Sequence, residues 1–196
     1  MTDETSLIQQ AQNGDEAALA ELMATHQKRI YHVALRMCGD VYSAEETLQE
    51  TFLSALKALP NFKGQSKLST WLYRIASNNC LMRRRKEAGA PATIPVDETD
   101  ETAETVLTPL QTADQPIAPE AQLMDDELRQ AVETAVLELP PPLRIVFIWR
   151  ELEGLSTQET AEILDLSESA VKVRLHRARA KLRDHLSGYM ANSSAD

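Results

Sequence analysis

Apolar residues recur at helical spacing along most of the chain, and no stretch alternates polar with apolar positions in a sustained way, so the pattern predicts an all-α protein. Helices are expected at about 5–14, 15–38, 43–59 and 66–86, and again at about 125–139, 143–152, 156–164 and 168–183. Ser43 with Glu46, and Ser156 with Glu159, have the spacing of capping boxes, in which each side chain satisfies the other residue's backbone N–H. In 43–59 the residues Leu48, Phe52, Ala55, Leu56 and Leu59 form the stripe expected to be buried, while Glu45, Glu46, Gln49 and Glu50 lie on the polar side. That acidic side suits a helix N-terminus, whose dipole favours negative charge, and equally suits a face for docking a partner.

Pro60-Asn61-Phe62-Lys63-Gly64-Gln65 breaks the chain and leaves Phe62 as a large aromatic in a polar loop. In 66–86 the inner side is expected to carry Leu68, Leu72, Ile75, Asn79 and Met82, with Trp71 and Asn78 at the borders and Trp71 belonging to the core. Ser66, Thr70, Tyr73, Arg74 and Ser77 are expected to face outward. An aromatic for stacking, an arginine for phosphate and asparagines for base edges are what a single-stranded DNA surface requires, so Tyr73, Arg74 and Asn78 are candidates for one. The run Arg83-Arg84-Arg85-Lys86 either complements the helix C-terminus or contacts phosphates.

The stretch from Ser156 to Arg183 carries the sharpest chemical pattern. A short capped helix is followed by a break at Asp165-Leu166-Ser167, where Ser167 can cap a helix beginning at Glu168. Val171, Leu175, Ala178 and Leu182 make one inner stripe, and Ser169, Val173, His176 and Ala180 lie opposite. Six basic side chains and no acid occur between Lys172 and Arg183. A small inner face and a basic outer one suit a helix seated in the major groove, so a helix-turn-helix is expected here.

Charge distribution sharpens this picture. The chain has 196 residues and a formal net charge of −10, which by itself opposes nucleic-acid binding. The charge is unevenly placed: residues 1–87 have eleven basic and ten acidic side chains, 88–124 have none basic and seven acidic, and 125–196 have nine basic and thirteen acidic. The middle segment also holds five prolines and no aromatic, the composition of a mobile acidic linker. Two small helical domains, 1–87 and 125–190, are thus expected around a linker at 88–124, with a frayed tail at 191–196. A chain so charged should bind DNA weakly when free.

Other classes find little footing. The four histidines lie without Asp, Cys or Glu at ligand spacing, and there is no Gly-rich phosphate loop, so neither metal, cofactor nor enzyme chemistry is expected. Cys38 and Cys80 read as reduced, buried thiols. No apolar run approaches the roughly 18 residues of a membrane span, and the first residues lack a secretory layout, so membrane insertion is not expected.

With these residues in view, the chain resembles bacterial sigma factors of the extracytoplasmic-function (ECF, group IV) kind. The resemblance is carried by AEETLQETFLSALKALPNFKGQSKLSTWLYRIASNN at 44–79 and LPPPLRIVFIWRELEGLSTQETAEILDLSESAVKVRLHRARAKLR at 139–183. It implies two helical domains, sigma-two and sigma-four, that bind RNA polymerase core and direct it to promoter DNA in the bacterial cytoplasm, with an anti-sigma protein as a family-level expectation. By the same resemblance, Glu45, Glu46, Gln49 and Glu50 would dock on the clamp helices of the polymerase largest subunit, with sigma-four on the flap. Asn61, Phe62, Lys63, Tyr73, Arg74 and Asn78 would capture an unpaired base of the downstream promoter element. Ser169, Ala170, Lys172, Val173, Arg174, His176 and Arg177 would read the upstream element as duplex, and the acidic linker would thread toward the RNA-exit path. Asp165 stands where the family pattern usually has Gly, and Asp tolerates the left-handed conformation better than most residues. Glu168 favours cytosine N4 if it meets a base, and Val173 favours a thymine methyl. The alternative function is a stand-alone helix-turn-helix regulator, which would account for 156–183 but not for Phe62, Tyr73 and the polar side of 43–59.

Overall fold

The structure is a computed structural model that describes residues 4–89 and 126–193, with the backbone alone for 126–129 and 188–193. The acidic segment expected at 88–124 lies, from residue 90 onward, outside the described residues, as does the tail from 194. Every described element is helical. The first group is α1 (Glu4–Gln12), α2 (Glu16–Cys38), α3 (Val41–Ala58), a 3-10 turn (Leu59–Asn61) and α4 (Leu68–Glu87). The second is α5 (Asp126–Glu138), α6 (Pro141–Phe147) running into a π-helical turn (Ile148–Leu152), α7 (Thr157–Leu164) and α8 (Glu168–Ser193).

Local chemistry sets most of these boundaries. Asp15 caps α2 by accepting from Ala17 and Ala18 N–H, and Gly39 ends it in the left-handed region at φ 87°. Any side chain at residue 39 would be strained, and its Cβ would also lie 3.0 Å from Leu137 of α5. Asp40, not the Ser43–Glu46 pair, opens α3: its carboxylate accepts from Ser43 N–H at 2.8 Å, so the helix starts earlier than the capping-box spacing implies. That same bond holds the Asp40 carboxyl below its ordinary pKa. The Ser156–Glu159 capping box forms in both directions. α8 continues through Gly188 to Ser193, into the tail expected at 191–196.

Two sequence expectations about buried faces change. In α3 the fully buried side is Ala44, Thr47, Thr51 and Ala55. The two threonine hydroxyls donate to the carbonyls of Ser43 and Thr47 one turn back, so they are buried without an unmet hydrogen bond. Leu53 and Leu56 are left 49% and 48% exposed, so the leucine stripe is only partly the core. In α4 Met82 lies at 63% exposure, whereas Thr70, Tyr73 and Ser77, expected to face outward, are buried. Both sides of this helix are covered, because α6 and α7 pack on the face that the first group leaves open.

The two helical groups pack against each other. The buried hydrophobic residues of both groups form one cluster, with α5 and α6 against α2, and α6 and α7 against α4. Trp149, fully buried, donates from Nε1 to Ser77 Oγ at 2.9 Å. Arg144 is also buried and gives its guanidinium to three carbonyls, those of Met37, Leu137 and Leu139. It thereby closes the C-terminal ends of α2 and α5 at once, where helix carbonyls lack partners. Burial pushes its pKa down to about 10, and the charge of Arg84 acts in the same direction. Trp149→Ala should lower unfolding stability by about 3–5 kcal/mol, seen as a reduced urea midpoint. Trp149→Phe, which keeps a ring but loses the bond to Ser77, should lose about 1–2 kcal/mol.

Candidate nucleic-acid interface

α7, the turn and α8 build the expected helix-turn-helix. Asp165 adopts φ 56° and ψ 48°, the left-handed turn conformation, and its N–H bonds to Ala161 O. It is the one non-glycine residue with positive φ among those described. Ser167 Oγ accepts from Ala170 N–H at 3.1 Å, closing the first turn of α8, and lies 2.9 Å from Ser169 Oγ. Val171, Leu175, Ala178 and Leu182 are all buried, as their spacing requires. Thr160, Ala161 and Ile163 of α7 are buried with them. The opposite side of α8 presents Ser169, Lys172, His176 and Arg177 to solvent, with Val173 45% exposed. Ala170 and Arg174 sit half-buried at its edges. Farther along, Arg179 pairs with Glu151 at 2.7 Å, so that arginine helps hold α8 to the π-helical turn.

The residues singled out near the first group fall in three places. Asn61 ends the 3-10 turn and is exposed, Lys63 is exposed, and Phe62 is half-buried with its ring 5.1 Å from that of Trp71. Gly64 follows at φ 68°, reversing the chain where a side chain would be strained. Arg74 and Asn78 are exposed on α4, and Arg74 donates to Glu162 O at the end of α7.

Tyr73 departs from expectation. It is 6% exposed, and its ring stacks on Trp149 with centroids 5.1 Å apart. Its hydroxyl lies 3.1 Å from Nδ1 of His26, and the Arg29 guanidinium sits 5.7 Å above its ring. The periodicity of α4 puts Tyr73 off the Leu68–Leu72–Ile75 stripe; what it cannot supply is the second group that covers that side. Beside this aromatic contact Glu153, nearly buried, accepts from Arg29 at 3.0 Å and from Arg36 at 2.5 Å. Arg29 also donates to the Glu153 carbonyl. The candidate strand-contacting tyrosine is therefore enclosed by both groups.

On α3, Glu45, Gln49 and Glu50 are exposed and Glu46 is half-buried. Glu46 pairs with Arg83 of α4 and accepts from Tyr42 at 3.1 Å. The Arg83 guanidinium holds the Glu46 carboxyl below the usual range. Glu45 and Gln49 instead border an open groove of about 480 Å³ between α2 and α3, floored by Leu19, Met23, Leu48, Phe52, Leu53 and Leu56. The sequence pattern assigns Leu48, Phe52 and Leu56 among these to the buried stripe. The signal that could have found them was the second, smaller stripe of Ala44, Thr47, Thr51 and Ala55, whose side chains allow closer helix packing. Among the described residues no group of three or more His, Cys, Asp or Glu could hold a metal, and no helix is long and apolar enough to cross a membrane.

Taken together, this is a two-part helical protein with a helix-turn-helix in its second part. Residues 22–89 match the family described as Sigma-70 region 2, and 129–182 match Sigma-70, region 4. The chain is 33% identical over 179 residues to the ECF RNA polymerase sigma factor SigW of Bacillus subtilis, covering 91% of this chain and 94% of that one. It is 34% identical over 182 residues to the ECF RNA polymerase sigma-E factor of Escherichia coli, covering 91% of each. Its fold is like that of CnrH in complex with the cytosolic domain of CnrY, with a TM-score of 0.64 at 24% identity over 93% of this chain and 96% of that one. It is also like that of the sigma factor RpoE bound to the anti-sigma factor NepR from Bartonella quintana, with a TM-score of 0.60 at 21% identity over 86% and 96%. The chain belongs to the ECF RNA polymerase sigma factor family.

A pH dependence follows from the enclosed tyrosine. Burial holds the His26 pKa below its ordinary 6.5, with Arg29 acting the same way and Glu4 opposing. A histidine with a depressed folded pKa charges first in the unfolded chain, so stability falls as pH drops below the unfolded value. The urea midpoint should therefore decline from about pH 7 to about pH 5, and His26→Gln should remove that part of the decline.

Proposed function

We propose that this chain binds RNA polymerase core, carries it to promoters and helps to open the DNA, while core supplies the catalysis. The observation that carries the reading is the face of α8, where Lys172, Val173, His176 and Arg177 stand exposed beyond a capped first turn. This face belongs to a chain that is an ECF sigma factor over nearly its whole length. Residues 1–87 act as the sigma-two domain and 125–190 as the sigma-four domain, with 88–124 between them as the acidic linker.

In this reading Ser169, Ala170, Lys172, Val173, Arg174, His176 and Arg177 face the upstream element, most of the affinity coming from phosphate contacts and the selectivity from a few base edges. Asn61, Phe62, Lys63, Tyr73, Arg74 and Asn78 hold an unstacked base of the downstream element, returning part of the few kcal/mol that unstacking costs. Glu45, Glu46, Gln49 and Glu50 and the neighbouring apolar groove dock on the polymerase clamp helices, and sigma-four docks on the flap. Because Tyr73 lies beneath Trp149, its use requires α4 to part from the π-helical turn that carries Trp149 when the chain meets polymerase. Control by an anti-sigma protein and a cytoplasmic location belong to the same reading, which includes no enzymatic step, cofactor or metal.

Run-off transcription with purified core provides the test. Lys172→Ala combined with Arg177→Ala should weaken promoter-specific transcription by about tenfold or more and lower the log–log salt slope by about two. Phe62→Ala should leave closed-complex binding unchanged and reduce permanganate reactivity of the opened strand; unchanged reactivity would remove Phe62 from strand capture. Tight promoter binding by the free chain without core would replace the whole reading with a stand-alone regulator.

A further inference from the structure

α1 lies before the segment that matches Sigma-70 region 2, which begins at residue 22, and none of the roles above falls on it. Its last residue, Gln12, reaches across to the loop that carries Phe62. The side-chain amide donates to Leu59 O at 3.0 Å and to Phe62 O at 2.9 Å. Both N–H groups of one amide are thus spent on two carbonyls that bracket Pro60 and Asn61. The loop has little else to fix its backbone here: Pro60 has no N–H, and the turn's own bond is Phe62 N–H to Leu59 O at 3.0 Å. The Phe62–Trp71 contact fixes the ring, while Gln12 fixes the main chain from which Asn61, Phe62 and Lys63 project.

We propose that Gln12 is a positioning residue for strand capture: it holds the 59–63 backbone in the shape that presents Asn61, Phe62 and Lys63 to an unpaired base. The inference rests on the reading of that loop given above. A loop already ordered in its bound shape does not have to be ordered when the strand arrives, so the selectivity of its contacts reaches the complex undiminished. α1 itself does not depend on this amide for its place, because Leu7, Ile8 and Ala11 pack against the common core. Loss of the two donors therefore loosens the loop and leaves the helix docked.

The test uses full-length chain bound to polymerase core and promoter fragments with an unpaired downstream element, each unpaired position carrying A, C, G or T in turn. Gln12→Met is neutral and of matching length but has no donor. It should leave core affinity and upstream duplex binding unchanged, and should cut the ratio between the best and worst base at one unpaired position about tenfold, the worth of two neutral hydrogen bonds. Equal weakening for all four bases would mark a general structural loss and overturn the assignment. Phe62→Ala, measured in parallel, separates the two levels of the argument. If it abolishes the base ratio while Gln12→Met keeps the original value, Gln12 has no positioning role and the loop reading stands. If Phe62→Ala leaves the ratio intact, the loop reading fails and the role of Gln12 fails with it.

Discussion

The arrangement of the molecule depends on the stacking of Trp149 against Tyr73. One ring comes from the second helical group and the other from the first, and the indole N–H is satisfied by Ser77, whose hydroxyl donates to the Tyr73 carbonyl. An indole buried with its polar atom paired contributes area without an unmet hydrogen bond. Around it the charges are matched: Glu153 takes both Arg29 and Arg36, and Arg144 is shared among three carbonyls. Weakly hydrated, planar guanidiniums suit such half-dry sites better than ammonium groups. The same contact that completes the core also hides an aromatic ring that strand binding would use, so stability of the closed form and access to DNA draw on one pair of side chains.

Legibility from sequence followed how local each feature is. The helix-turn-helix was readable almost residue by residue, because its capping box, its left-handed Asp165, the Ser167 cap and the Val171–Leu175–Ala178–Leu182 stripe are all set within a few positions of one another. The start of α3 differs from the expectation because two N-cap signals compete there, and Asp40 rather than Ser43 makes the bond. The inner side of α3 was misread because threonines that bond back to their own helix behave as small buried residues, while larger leucines stay open. Tyr73 was placed on the correct side of α4 and given the wrong surroundings, since its cover comes from a segment more than seventy residues away. Gln12 carried no sequence signal at all: its partners are backbone carbonyls, which look alike in every sequence.

Charge and surface also divide the labour between the groups. The exposed basic face of α8 sits in a chain whose formal net charge is −10, so long-range attraction to DNA is weak and short-range contacts must decide binding. The α2–α3 groove is apolar at its floor and polar at its border, the composition of a surface that meets protein rather than phosphate. Neither surface includes the enclosed Tyr73.

The π-helical turn at Ile148–Leu152 has a geometric consequence of its own. Glu153 N–H bonds to Ile148 O, five residues back, so the helix accommodates one residue more than a regular turn would. The widened turn falls at the end of the helix, immediately before Gly154 turns the chain at φ 70° toward α7. That surplus residue lies between Arg144, which ties α2 to α5, and Glu153, which takes Arg29 and Arg36. Loss of one codon here would take Glu153 out of register with its two arginines, without altering any side chain on the outer face of α8.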